Sequence, residues 1–316
     1  MIGAVELGLL YGVMALGVYL TFRVLRFPDL TVDGSFTTGA AVAASMIVAG
    51  QSPVLATLAG AGAGLVAGVV TGLLHTKGHI DGLLAGILTM IALWSVNLRI
   101  MGGANVPLLR EDTLMTPLRD ADLLGGTWLG ALAFLGGVLV LKLLVDWFLA
   151  TDLGLAIQAT GNNKQMIKSL GVDTDFTTIL TLALSNGLVG LCGALVAQYQ
   201  GFADISMGIG LILVGLASVI LGQAVLGQRV IFMASLAVVL GAVLYRIIIY
   251  VALQVGLNPN DMKAVTAALV VAALLLPRWG PLKRVPSWRD LRGGRANGRA
   301  AAPVAEDAPA PAQKEA

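Results

Sequence analysis

The sequence predicts an all-α, polytopic membrane protein with about nine transmembrane helices, on three observations. Hydrophobic residues make up 57% of the chain and charged ones 12%, against roughly 25% charged in a soluble domain. Glycine, at 40 residues, is abundant, as it is in membrane helices. Apolar stretches close to the roughly 20 residues needed to cross a bilayer recur between polar punctuation. A soluble core of this length would leave such side chains in large exposed patches.

The first stretch spans about 2–22 and reads as a membrane helix rather than a cleavable leader, since no polar cleavage region follows. The interruption 23–35 carries Arg23, Arg26, Pro28, Asp29 and Asp33. Further stretches span about 34–49, 54–74 and 80–101, and a Pro- and charge-containing loop occupies 102–127. The fifth covers 128–149, with Lys142 and Asp146 four residues apart and able to pair on one helix face. A polar segment, 151–175, precedes stretches at 176–200, 207–226, 230–253 and 261–276.

Arg23, Arg26, Lys77, Lys164, Lys168, Arg229 and the basic run Arg278–Arg299 fall on one side if every stretch crosses once. Positive loops face the cytoplasm, which places the N-terminus outside and the C-terminus inside. The basic run suits anionic lipid headgroups, not nucleic acid. The Ala-, Pro- and Glu-rich residues from about 300 read as a disordered tail. The expected division is therefore a membrane domain, 1–277, and a basic then disordered tail, 278–316.

Arg99 and Arg246 lie toward outer helix ends, where long basic side chains snorkel, and Glu6 sits near the outer end of the first helix. No buried acidic or histidine relay is evident, which counts against a proton-coupled carrier. The chain has no phosphate-binding Gly-x-x-x-x-Gly-Lys-Ser/Thr loop, so it binds no ATP in that way. His75 and His79 flank Lys77 without further nearby metal ligands, and no catalytic set is apparent. Cys192 stands alone among small residues as a buried thiol.

Two segments carry the functional reading. In 152–171, Leu155–Thr160 suits a helical turn or more, and Gly161-Asn162-Asn163 reads as a C-cap or turn followed by a new N-cap. Lys164–Leu170 suits a second short helix stopped by Gly171. Two readings stand here: a compact lever for a cytoplasmic partner, or an amphipathic pair resting at the lipid interface. In 27–36, Pro28 and Gly34 break the helix, and Asp29, Thr31, Asp33 and Ser35 offer acceptors for a helix start. This is a broken or re-entrant junction at membrane depth or at the inner interface; its aspartates either cap the second helix or line a solute path. Ser185-Asn186-Gly187, with Gly190 and Gly193, reads chiefly as close helix packing, as do Gly208, Gly210 and Gly215.

Leu153, Gly154, Ala156, Ala159, Gly161, Asn163, Leu170, Gly171 and Val172 resemble the cytoplasmic coupling loop of branched-chain amino acid and ribose-type ABC importer permeases. Asp29, Leu30, Thr31, Val32 and Gly34 are similar to an Asp-Leu-Ser-Val-Gly-like element of that family, with Asp33 as an extra acid. The stretch 80–102 resembles the fourth helix of a subgroup associated with aromatic or other hydrophobic amino acids. The resemblance implies a bacterial inner-membrane permease, non-catalytic, whose ATP and Mg sit on separate cytoplasmic ATP-binding subunits. It also implies an extracytoplasmic solute-binding protein and a second permease copy. Coupling to the ATPase falls on Leu153, Gly154, Ala156, Gln158, Ala159, Gly161, Asn162, Asn163, Lys164 and Gly171. The translocation path falls on Asp29, Thr31, Asp33, Ser35, Asn97, Arg99 and Asn186.

Overall fold

The structure is a computed structural model and describes residues 1–121, 128–226, 231–256, 261 and 264–271. Helix α1 (Ile2–Val18) continues as a π-helical stretch (Tyr19–Leu25), followed by α2 (Thr31–Val48), α3 (Pro53–Thr76) and α4 (Gly82–Met101). The long loop holds strand β1 (Asn105–Pro107) and helix α5 (Thr116–Asp120). Next come α6 (Trp128–Ala150), α7 (Asp152–Asn162), α8 (Lys164–Ser169), α9 (Thr174–Gln200), β2 (Phe202–Asp204), α10 (Leu211–Leu226) and α11 (Ile231–Gln254).

Among the described residues, six helices are long and apolar enough to cross a membrane: α1 with its π-helical extension, α3, α4, α6, α9 and α11. The chain is thus a multi-pass membrane protein. Helices α2 and α10 are shorter, at 18 and 16 residues, and are not among the six. Of the expected ninth stretch, 264–271 is helical; its remaining residues, Arg229 and the tail 278–316 lie outside the described residues.

Boundaries differ from the sequence expectation where the backbone leaves the α geometry. The first helix runs to Leu25, three residues past the expected end at about 22, because Tyr19–Leu25 adopts π hydrogen bonding and stops at Arg26 in the left-handed region (φ 57). Helix α2 starts at Thr31 rather than Gly34. Helix α10 starts at Leu211 rather than 207, since 205–210 is a turn.

The centre is built by glycine. Gly60, Gly64, Gly68 and Gly72 repeat every fourth residue and form one stripe along α3. A Cβ at Gly64 would strike the Asn186 carbonyl, and one at Gly68 the Leu182 carbonyl. The α3 and α9 backbones therefore touch, as small residues permit in membranes. Gly39 of α2 meets Gly190 of α9 in the same way, so α2, α3 and α9 form one tight unit. Around it, α1 and α9 are the most enclosed spans, whereas α4 and α6 show mainly apolar side chains outward.

The expected Lys142–Asp146 pair forms, with Nζ 2.6 Å from Oδ2. Lys142 is buried and lies over the Phe232 ring, and the Ser235 hydroxyl donates to Asp146 Oδ1. Removing one partner of a buried pair strands the other charge. Lys142→Met is expected to destabilise the protein by about 3–5 kcal/mol, and a Lys142→Met/Asp146→Leu double variant to recover most of that. Thermal unfolding in detergent checks both. Arg246 does not snorkel outward: its guanidinium lies 3.9 Å from the Tyr11 ring centroid, tying α11 to α1. Glu6 is likewise buried and accepts from the Tyr199 hydroxyl at 2.7 Å.

The connections gather at two ends. At one end β1 pairs antiparallel with β2, Val106 opposite Ala203, and Leu114 N–H donates to Gln198 Oε1. This joins the long loop to the end of α9. At the other end lie the close of the π-helical stretch, His75, α7, α8 and the start of α9. Phe27 packs edge-on against His75 there.

Candidate functional site

Helix α7 starts where Thr151, at the end of α6, accepts from the Gly154 amide. A Cβ at Gly154 would overlap the Phe148 carbonyl and Leu149 backbone, so only glycine lets α7 turn back against α6. Gln158 Nε2 donates to the Leu149 carbonyl at 2.8 Å. Thr160 pairs with Thr177 of α9 at 3.2 Å. The helix ends within the expected tripeptide, at Asn162 with Asn163 as its cap, but Gly161 itself lies inside the last turn of α7. Its missing side chain is filled by the end of the π-helical stretch: a Cβ would meet the Val24 carbonyl and the Leu25 backbone.

The break comes two residues later. Asn163 is extended (φ −154) and caps α8, accepting from Met166 N–H at 3.0 Å. Gly171, at φ +86, ends the segment. Asp173 then caps α9, and the amides of Phe176 and Asp175 hold its carboxyl below the usual range. Ala156 and Ala159 are half-buried, and Asn162 and Lys164 are exposed. Lys164 stands 3.9 Å from Asp175, an exposed pair of small energetic weight. While Gly154, Ile157, Thr160 and Ile167 face the membrane helices, Leu153, Leu155, Met166 and Leu170 are exposed. The segment is thus seated on α6, α9 and the π-helical stretch, with apolar side chains outward.

The 27–36 junction lies deep. Asn186 is twelve residues past Thr174, about 18 Å along α9 from its start. Its Oδ1 accepts from Ser35 at 2.7 Å. Its Nδ2 donates to Asp29 Oδ2 at 2.7 Å and to the Leu182 carbonyl at 3.0 Å. Asp29 Oδ1 accepts from Thr31 N–H, and the Thr31 and Thr71 hydroxyls pair at 2.8 Å. Ser185 donates to the Gly17 carbonyl. Asn186 therefore both packs and anchors the start of α2, and the polar break sits inside the bundle.

Asp33 serves a different helix from the one expected. Its Oδ2 accepts from Gly210 N–H and its Oδ1 from Ile212 N–H, each at 2.8 Å. A carboxylate on α2 thus caps α10, whose N-terminus lies at the level of the junction. Gly210 supports this turn with φ +85 and has no close packing partner. Gly208 approaches the Asp33 carbonyl and Thr37, and Gly215 packs on Val18.

A cavity of about 410 Å³ opens beside this cap, lined by Asp33, Gly34, Thr37, Met90, Ile91, Trp94, Ser95, Asn97, Ile205 and Ile209. Of the expected path residues, Asp33 and Asn97 meet here; Asp29, Thr31, Ser35 and Asn186 form the adjoining buried network. Arg99 is exposed near the end of α4 and does not line the cavity. Trp94, Met90, Ile205 and Ile209 were not singled out from sequence. Trp94 lies on the face of α4 three residues before Asn97, a spacing that would have flagged it. Among the described residues, no group of three or more His, Cys, Asp or Glu is placed to hold a metal ion.

The fold thus joins a helix bundle with a buried polar break, a short helix starting beside it and a segment seated at one end. Residues 1–276 match the family described as branched-chain amino acid transport system / permease component. The chain belongs to that family, and is a non-catalytic permease of ABC-type transport systems. It is 42% identical over 266 residues to the tyrosine transport system permease protein of Clostridioides difficile, covering 84% of this chain and 87% of that one. It is 34% identical to an uncharacterized protein of Rickettsia prowazekii, over 87% of this chain and 96% of the other. A shorter match, 38% over 81 residues, is to the autoinducer 2 import system permease protein LsrC of Salmonella paratyphi B, covering 25% and 23% of the two chains. No solved structure matches the chain.

Proposed function

We propose that this chain is the permease subunit of a binding-protein-dependent importer that moves an amino acid with an aromatic or branched side chain by ATP-driven alternating access. The observation that carries the reading is the α7–α8 pair. Its inner face is locked by Gly154, Gly161 and Gln158, and its outer face offers Leu153, Leu155, Met166 and Leu170. A pair resting on lipid would need apolar contact with the bilayer alone; a docking handle needs a rigid seat on several helices, and this segment has three.

In this account, two cytoplasmic ATP-binding subunits grip the 151–175 segment and bind the ATP and Mg. A second copy of the chain completes the path, and an extracytoplasmic solute-binding protein delivers solute at the end holding β1 and β2. The membrane domain, 1–277, then crosses nine times in the inner membrane, with the N-terminus outside and the basic tail, 278–316, in the cytoplasm. Motion at α7 reaches the junction through Val24 and Leu25, which Gly161 touches and which lead into 26–30. The named substrate of the Clostridioides difficile relative favours tyrosine among the candidate solutes.

The test is capture and uptake together. Tagged full-length protein should co-purify an ATP-binding subunit, and right-side-out vesicles given the solute-binding protein outside should need ATP in their lumen for L-tyrosine uptake. Deleting 152–171 should abolish both. Uptake that survives the deletion, or runs on an ion gradient or passively without an ATPase, overturns the proposal.

A further inference from the structure

The cavity beside the α10 N-terminus has a polarity that restricts its ligand. Asp33 supplies a carboxylate, and a carboxylate offers about four lone-pair sites. Two are taken by Gly210 and Ile212 amides, which leaves acceptor capacity on a residue that lines the cavity. Asn97 is 1% exposed, lines the same cavity, and its Oδ1 has no hydrogen-bond partner. An orphaned buried acceptor is costly unless a ligand donates to it. Met90, Trp94 and Ile209 line the same cavity with apolar side chains. Among the described residues lining the cavity, none is Lys, Arg or His.

The α10 N-terminus would ordinarily draw an anion, but its amides are already occupied by Asp33. What remains is an acceptor-rich, apolar-walled space of about 410 Å³, a size suited to a small molecule. We propose that this cavity binds a primary ammonium carried on an aromatic or branched apolar body. The ammonium sits on Asp33, a second donor meets Asn97, and the ring or branched chain lies against Trp94 and Met90. The site recognises the amine end of an amino acid and makes no use of its carboxylate. This deepens the importer reading and rests on it for the solute's physiological identity, although the binding chemistry stands separately.

The experiment measures tritiated tyramine binding to the full-length permease in nanodiscs without any solute-binding protein. L-tyrosine and 3-(4-hydroxyphenyl)propanoate serve as competitors. Tyramine and L-tyrosine should bind comparably, and the propanoate, which lacks the amine, at least about tenfold more weakly, the weight of one charge-assisted hydrogen bond. Asp33→Asn should erase the preference for amine over acid, and Asp33→Glu should restore it. Because Asp33 also caps α10, Asn97→Leu and Trp94→Ala provide independent variants, each expected to weaken tyramine about tenfold. Equal competition by the propanoate, a preference that survives Asp33→Asn, or unchanged binding in both other variants overturns the site. Amine-selective binding by a permease that captures no ATP-binding subunit upholds the site and overturns the importer reading instead.

Discussion

Replacing Gly68 with valine is expected to destabilise the protein by about 3 kcal/mol or more, at the upper end of overpacking costs. The reason is geometric. A Cβ there would overlap the Leu182 carbonyl, and backbone cannot swing aside as a flexible side chain can. The α3 and α9 axes would have to separate, which would also loosen Gly64 against Asn186 and the contact of Gly39 with Gly190. Gly62 provides the internal control, since a Cβ there meets nothing within 4 Å. Gly62→Ala should be neutral or stabilising by up to about 1 kcal/mol, the helix-propensity difference. Thermal unfolding and monodisperse yield in detergent report both variants. Similar behaviour of the two would mean that the stripe does not set the helix spacing.

The second large effect is functional. Gly161→Val should lower uptake by at least about tenfold while ATP hydrolysis continues, because a misfit of about 1–3 kcal/mol at the contact shifts the α7 seat. The valine would press on the Val24 carbonyl and the Leu25 backbone, where the π-helical stretch closes. π-helical turns occur mainly as local insertions at functional sites, and this one leads directly to the Asp29 and Asp33 junction. Membrane insertion should be normal, since no spanning segment is altered. The measurement is the ratio of solute transported to ATP hydrolysed in proteoliposomes. An unchanged ratio would mean that Gly161 does not transmit motion.

Much of this was legible in the sequence because membrane helices announce themselves through local apolar length. The 152–171 pair was also readable: Asn163 caps and Gly171 stops, as their residue types suggest. A glycine beside two asparagines has the composition of a C-cap or turn, and the helix does end there; what places Gly161 inside the last turn is Val24, distant in sequence, whose carbonyl takes up the space. Asp33 was placed at the junction, but its duty to α10 depends on Gly210 and Ile212, 177 and 179 positions away. No local pattern records that meeting. The π-helical stretch is similarly silent, since Tyr19–Leu25 has the side chains of an ordinary apolar helix end. The Asn186 cluster was half legible: its polar type among glycines marked a helix contact, but its three hydrogen bonds could be counted only once Ser35 and Asp29 were beside it.

The central claim is that the α7–α8 segment faces the cytoplasm and is gripped there by an ATP-binding subunit. Leu170→Cys tests it most directly: Leu170 is 70% exposed, and the single native thiol, Cys192, is buried and silent to a membrane-impermeant maleimide. The account predicts labelling in inverted vesicles, none in intact cells, and protection when the ATP-binding subunit is present. Labelling of intact cells from outside, or labelling in inverted vesicles that the ATP-binding subunit leaves unchanged, would contradict it.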